Sequence, residues 1–157
     1  MNIRALQRED KESIRELLIA TDVFNNDEIN IALELVEICL DDPRQQEYEI
    51  FCCIDEQLLL SGYVCIGPTP ATDGTFDLYW IAVAPVQQGK GVATELLEFI
   101  ERRLRAKGGR MIVAETSSTV KYEKTRAFYL NKGFVQVAQI HEYYRPGDDL
   151  VIYSKHL

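Results

Sequence analysis

The chain predicts an α/β domain built around a mixed sheet. Apolar residues recur every three to four positions in two early segments. From residue 49 onward they form alternating or continuous runs, and a strand, a glycine loop and a helix meet near the middle. No repeat, linker or low-complexity stretch interrupts the 157 residues, so residues 1–157 read as one domain with room for a real core.

The elements follow in order. Ile3 to Leu6 reads as a short strand. Asp10 is expected to cap a helix with Ile14, Leu17, Leu18 and Thr21 on one side. Asn26 is expected to cap a second helix, with Asp27 and Glu28 in its first turn, where the helix dipole favours negative charge. Its apolar face is Ile29, Ala32, Leu33, Val36, Cys39 and Leu40, and Pro43 lies beyond its end. Glu49 to Ile54 and Leu58 to Ile66 form a hairpin around Asp55-Glu56-Gln57. After a loop marked by Pro68, Pro70 and Gly74, a third strand covers Phe76 to Ala84. A helix from about Gly91 to Lys107 buries Ala93, Leu96, Leu97, Ile100 and Leu104 and stops at Gly108-Gly109. Met111 to Ala114 is a strand with Glu115 at its end. Thr125 to Lys132 is a short helix stopped by Gly133. Phe134 to Tyr144 and Leu150 to Lys155 close the chain as a hairpin about Pro146-Gly147.

Composition excludes several classes. A net charge of -8 argues against nucleic acid as the main partner. The longest apolar stretch, Leu78 to Val86, is about half of what a membrane span needs. The first residues are neither basic nor apolar, so no secretory signal is read and a cytoplasmic location is expected. Cys39, Cys52, Cys53 and Cys65 lack framework spacing and read as buried free thiols, and His141 and His156 lack ligand spacing, so no metal is expected. Charge is uneven: residues 1–60 carry 5 Lys/Arg against 15 Asp/Glu, and residues 61–157 carry 12 against 10. That asymmetry suits one cationic and one anionic partner, and equally suits an uneven solvated surface.

The chemistry concentrates in Trp80 to Ala93, a strand, a tight loop and a helix start. Glycine in such a loop admits positive φ and lets a ligand approach the amides. The first-turn amides of the helix lack internal partners and lie at the positive end of its dipole, which suits a phosphate. A Walker A loop is excluded because no Gly-Lys-Ser/Thr is present. A dinucleotide fingerprint half fits: Gly89 and Gly91 match, Thr94 stands where the third glycine belongs, and the preceding helices do not alternate with strands. The remaining pattern, Gln-x-x-Gly-x-Ala, is met by Gln88, Gly91 and Ala93.

Here the chain resembles the GNAT superfamily of N-acetyltransferases, whose Gln/Arg-x-x-Gly-x-Gly/Ala loop cradles the pyrophosphate of acetyl-CoA. Asp77 to Pro85 is similar to the family's central strand, and Arg126-Ala127-Phe128-Tyr129 followed by Gly133-Phe134 to its late segment. The element order also matches, so the likeness covers nearly the whole chain. It implies a central mixed, mostly antiparallel sheet of about seven strands flanked by about four helices.

The resemblance also implies roles. Gln88, Gly89, Lys90, Gly91, Val92, Ala93 and Thr94 would hold the pyrophosphate through backbone amides. Ile81, Ala82 and Val83, where the central strand splays, would meet the pantetheine arm and thioester carbonyl. An amide aimed at that oxygen stabilises the oxyanion by ~3 kcal/mol. Tyr129 matches a tyrosine near the CoA sulfur, placed to give a proton to the departing thiolate, although aromatics at helical spacing usually pack in a core. Asp77 falls where some members carry a general base, with Glu115 as a second candidate. For either acid a structurally paired or solvated carboxylate is the plainer reading. Lys90, Lys121, Lys124 and Arg126 would lie near the anionic coenzyme, and the basic run Arg102, Arg103, Arg105 and Lys107 complements a helix C-terminus.

The function implied is acetyl transfer from acetyl-CoA to a primary amine by direct attack. The acceptor would be a small molecule, a lysine or an N-terminal amine, with a cationic one suiting the acidic first third. A longer acyl-CoA as donor, or a catalytically idle CoA-binding module, are the rival readings. Family members often form homodimers, but no interface is readable in the sequence.

Overall fold

Why each segment adopts its element is visible in the computed structural model, which describes residues 1–157. Its elements are β1 (Asn2–Ala5), α1 (Asp10–Thr21), α2 (Asn26–Asp41), β2 (Glu49–Ile54), β3 (Leu60–Pro68), β4 (Thr75–Val83), α3 (Val92–Ala106), β5 (Met111–Ser117), α4 (Glu123–Asn131), β6 (Val135–Arg145) and β7 (Asp148–His156). The seven strands hydrogen-bond in the order β1-β2-β3-β4-β5-β7-β6. The pairs β1–β2, β2–β3, β5–β7 and β6–β7 are antiparallel, and β4–β5 is parallel. A mixed, mostly antiparallel seven-stranded sheet with four helices is the architecture expected. No helix is long and apolar enough to cross a membrane.

The chain folds as two compact units, one of Met1–Gly67 with Tyr79–Arg103 and one of Pro68–Leu78 with Leu104–Leu157. In the first, strand alternation sends neighbouring residues to opposite faces. Ile50, Cys52, Ile54, Tyr63, Cys65 and Ala82 pack with Ile14, Leu17 and Leu18 of α1 and with Ile29, Ala32, Leu33 and Val36 of α2. On the other face Phe51 meets Phe99 of α3 edge-on, with ring centroids 4.9 Å apart. There Arg103 lies over the Phe51 ring at 5.0 Å and binds Glu49 through Nε at 2.8 Å. Gly62 lets α3 settle close: a Cβ there would lie 2.8 Å from the Ala82 carbonyl oxygen and 3.0 Å from Val92. All four cysteines are free; Cys52, Cys53 and Cys65 are buried as expected, Cys39 is only half-buried, and Cys52 and Cys53 face opposite ways.

The second unit contains the β4–β5 ladder from Thr75–Met111 to Leu78–Ala114, the β5–β7–β6 strands and α4. Gly108 at φ 77° and the Gly109 amide bonded to Leu104 O at 2.8 Å end α3, as the glycine pair predicts.

Several boundaries differ from expectation. The cap of α2 is Asn25 rather than Asn26: its side chain accepts the Glu28 amide while Glu28 accepts the Asn25 amide, a complete capping box. Asp10 is the first residue of α1 and caps nothing, because its carboxylate binds Arg4 twice, at 2.7 and 2.9 Å, and accepts the Gln7 amide at 2.8 Å. Strand β5 continues to Ser117 because β7 pairs with it that far, so Glu115 sits inside the strand and not at its end.

Candidate active site

The glycine loop is assembled locally. The Ala84 amide donates to Ser61 O at 2.9 Å, which anchors the end of β4 to β3. Pro85–Gln87 then make one tight 3-10 turn, closed by Gln87 N to Ala84 O at 2.8 Å. The Gln88 side chain reaches back to Val83 O at 3.4 Å, and Gln87 reaches Asp55 Oδ2 in the β2–β3 turn at 3.3 Å. Gln87 is a loop anchor that the motif reading passed over, and the Gln87-Gln88 doublet is the signal that could have shown it.

Gly89 and Gly91 have φ of 76° and 87°, so a side chain at either would be strained. A Cβ at either position would meet nothing within 4 Å. These glycines therefore shape the backbone beneath open space, and packing does not demand them. The first helical hydrogen bond of this junction runs from Glu95 N to Gly91 O at 2.9 Å. The amides of Val92, Ala93 and Thr94 precede it, the position at which helix amides lack an internal acceptor. Lys90 is exposed, with its ammonium 3.2 Å from Gln87 Oε1. Amides, a helix N-terminus, one cation and open space form a donor set that fits a diphosphate. Ile81 and Val83 are half-buried on β4, whereas the Ala82 side chain belongs to the core cluster, leaving only its backbone for a ligand.

Asp77 is half-buried and accepts the Thr69 hydroxyl at 2.8 Å, so it is a paired carboxylate. Tyr79, two residues on, stacks edge-on against Tyr48 at 5.3 Å. Glu115 is exposed.

In the second unit Tyr129 is 4% exposed and packs against Phe134, Tyr153 and Phe128 with centroid distances of 5.1, 5.7 and 5.8 Å. Burial raises its phenol well above the ordinary value, so it keeps its proton throughout the neutral range. Arg126 is no free counter-ion: it donates to Ser117 O at 2.8 Å and Thr119 O at 2.7 Å, tying α4 to the end of β5. Lys121 and Lys124 are exposed. Of the helix-end basic run, Arg103 serves Glu49.

No group of three or more His, Cys, Asp or Glu side chains is placed to hold a metal. His141 instead lies between Glu142 and Asp149, at 3.3 and 3.2 Å. Burial pushes the Cys39 thiol up to about 11 and those of Cys52 and Cys65 higher still, which removes the thiolate a covalent step needs.

Comparison with known proteins agrees with this geometry. A family model described as an acetyltransferase (GNAT) domain matches residues 46–136, more than half of the chain. A crystal structure of a GNAT-family acetyltransferase from Desulfovibrio desulfuricans is 38% identical, with a TM-score of 0.91 over 99% of this chain and 98% of that one. Two more distant structures share the fold. An aminoglycoside 6'-N-acetyltransferase complexed with coenzyme A is 16% identical, with a TM-score of 0.76 over 99% and 97% of the two chains. The ribosomal-protein-S18-alanine N-acetyltransferase from Escherichia coli is 17% identical, with a TM-score of 0.78 over 99% and 92%. No curated protein sequence matches the chain. Fold and family together define an enzyme of acyl-CoA-dependent acetyl transfer. The chain belongs to the GNAT acetyltransferase family and is an N-acetyltransferase.

Proposed function

We propose that this enzyme moves an acetyl group from acetyl-CoA to a primary amine, with residues 1–157 acting as one catalytic domain. The observation that carries the reading is the loop from Gln88 to Gly91: two positive-φ glycines under open space, followed directly by the first-turn amides of α3. Bound there, acetyl-CoA supplies an activated acyl group as its thioester. The amides of Gly89, Gly91, Val92, Ala93 and Thr94 hold the diphosphate, Lys90 adds positive charge, and the Gln88 side chain keeps the loop on the end of β4. The backbone of Ile81, Ala82 and Val83 directs the acyl carbonyl.

The raised thiol pKa values favour direct attack over an acyl-enzyme. The neutral amine nitrogen bonds to the acyl carbon and the carbon–sulfur bond breaks. One proton leaves the nitrogen, and the sulfur takes one up. Tyr129 is the proposed hydrogen-bond and proton donor to that sulfur, because burial keeps it protonated. Asp77, already engaged by Thr69, is the weaker proposal: a base reached through the amine's hydration shell. The acceptor is proposed to be cationic, from the 15 acidic against 5 basic residues in positions 1–60. Amine acetylation by the named structural relatives supports an amine in general and names no substrate for this chain.

The test pairs calorimetry of acetyl-CoA binding with thiol release over a panel of amines, on the wild type and Tyr129→Phe. The variant should lose ~100-fold in kcat while acetyl-CoA affinity stays within about twofold. Unchanged turnover would remove the donor role, and absence of acetyl-CoA binding to the wild type would remove the loop assignment.

A further inference from the structure

Strand β5 leads to α4 through Ser117, Ser118 and Thr119, and the start of β7 holds this segment. The Ser117 hydroxyl is buried and lies 2.5 Å from Oδ1 of Asp148, itself 7% exposed. A carboxylate accepts, so the single hydroxyl proton of Ser117 goes there. The Ser117 oxygen can then only accept, and it takes the Thr119 amide at 3.1 Å and the Thr119 hydroxyl at 2.9 Å. The direction of that second bond is thereby fixed: Thr119 donates. Beside it, Ser118 and Asp149 bond twice, from the Ser118 amide to Asp149 O at 2.9 Å and from the Asp149 amide to Ser118 Oγ at 2.8 Å.

The carbonyls of the same segment hold α4. Arg126 Nη1 donates to both Ser117 O and Thr119 O. With 9 residues and no side chain capping its N-terminus, α4 depends on tertiary contacts for its place. Arg126 and Tyr129 stand three positions apart, neighbours on the helix surface about one turn from each other. Phe134 and Tyr153 bury the Tyr129 ring, but apolar packing has no direction of its own. The two hydrogen bonds of Arg126 supply direction.

We propose that Asp148 is a positioning residue for acetyl transfer, acting from the β6–β7 turn through Ser117 and Thr119 on Arg126, and through Arg126 on the Tyr129 phenol. This role rests on Tyr129 as the proton donor to the departing sulfur. Without the Asp148 carboxylate the Ser117 proton has no acceptor there, and a buried hydroxyl turns to the nearest one. Thr119 is that neighbour, so the order of donors reverses and the carbonyls that Arg126 grips shift. Displacing a reacting group by about 1 Å costs up to ~100-fold in rate, even when the change lies far from the chemistry. The loop from Gln88 to Gly91 takes no part in this chain of bonds, so acetyl-CoA affinity should survive.

Turnover, acetyl-CoA calorimetry and melting are compared for the wild type, Asp148→Ala, Asp148→Asn, Tyr129→Phe and Tyr129→Phe/Asp148→Ala. Asp148→Ala should lower kcat ~10-fold with the acetyl-CoA Kd within about twofold. Asp148→Asn keeps an acceptor oxygen and should recover to within about threefold of the wild type. Added to Tyr129→Phe, Asp148→Ala should slow turnover by less than about twofold more, because the group it positions is gone; a fault spread through the fold would multiply instead. Where Asp148→Ala melts below the assay temperature, Thr119→Val, of nearly the same shape but without the donor, takes its place in the same cycle with an expected ~3-fold loss. Wild-type kcat in Asp148→Ala, equal harm from Asn and Ala, or losses that multiply would each overturn the proposal. Full turnover in Tyr129→Phe would remove the donor reading itself, whereas a slow Tyr129→Phe beside an unimpaired Asp148→Ala would remove only the role of Asp148.

Discussion

Strand β3 and the loop after β4 both depend on glycine, for opposite reasons. At Gly67 a Cβ would collide with Glu47 O, and at Gly62 it would lie 2.8 Å from Ala82 O, so these positions have no room for a side chain. At Gly89 and Gly91 a side chain would find only open space, and the constraint is the backbone angle. One region is committed wholly to packing. Gly108 and Gly147 share the positive φ and the open space where the chain only turns, so what sets Gly89 and Gly91 apart is that the first-turn amides of α3 follow them directly.

Substitutions should separate the two regions. The largest loss of stability is expected from Gly67→Ala, at about 3 kcal/mol, since the atom in the way is backbone and cannot swing aside. Chemical denaturation would measure it, and a loss under 1 kcal/mol would show that Glu47 moves freely.

Asp10 extends the committed side of the comparison. Burial raises its pKa, but the hydrogen bonds from Arg4 and from the Gln7 amide, with the charge of Arg4, bring it below the ordinary value of 3.8. A carboxylate with a depressed folded pKa stabilises above its unfolded pKa, and that contribution is lost as pH falls through the folded value. Asp10→Asn should therefore destabilise by about 2–3 kcal/mol at pH 7 and by progressively less below pH 4, shown by denaturation at a series of pH values. An equal loss at all pH values would place the effect in packing.

Gly91→Ala should behave differently. Its stability cost is about 1 kcal/mol from the positive φ alone, while affinity for acetyl-CoA falls ~10-fold as the loop amides tilt. A variant with wild-type affinity by calorimetry would contradict the assignment of that open space. The smallest effect expected is from salt: raising ionic strength to about 0.5 M should raise the acceptor's Michaelis constant ~2–3-fold, and a salt-independent value would remove the cationic acceptor.

Local chemistry made much of this legible. The seven strands and four helices appear in the expected order, and Gly108-Gly109 stops α3 where it stands in the chain. The misreadings occur where a side chain has two possible partners. Both Asn25 and Asn26 are good caps, and Asn25 is used because Glu28 completes the box with it. Asp10 has the composition of a cap, yet Arg4 of β1 takes it. Glu115-Thr116-Ser117 has no strand pattern of its own and becomes strand because β7 extends alongside it. The site divides in the same way. Gln88, Gly91 and Ala93 are readable because backbone angles and helix amides depend on immediate neighbours. Gln87's bond to Asp55 joins residues 32 positions apart, and Arg126's clamp on Ser117 and Thr119 follows from the path of the chain.

From the residues alone came the element order, the apolar faces, the glycine loop and the family likeness, each set by spacing along a few turns of chain. Tertiary structure alone decided which carboxylates are already paired, that Arg126 serves backbone carbonyls, that Tyr129 is buried and protonated, and that β6 lies open along its whole length. Those properties depend on which groups meet across the sheet and how much water remains around them, and neither is a function of neighbours in sequence.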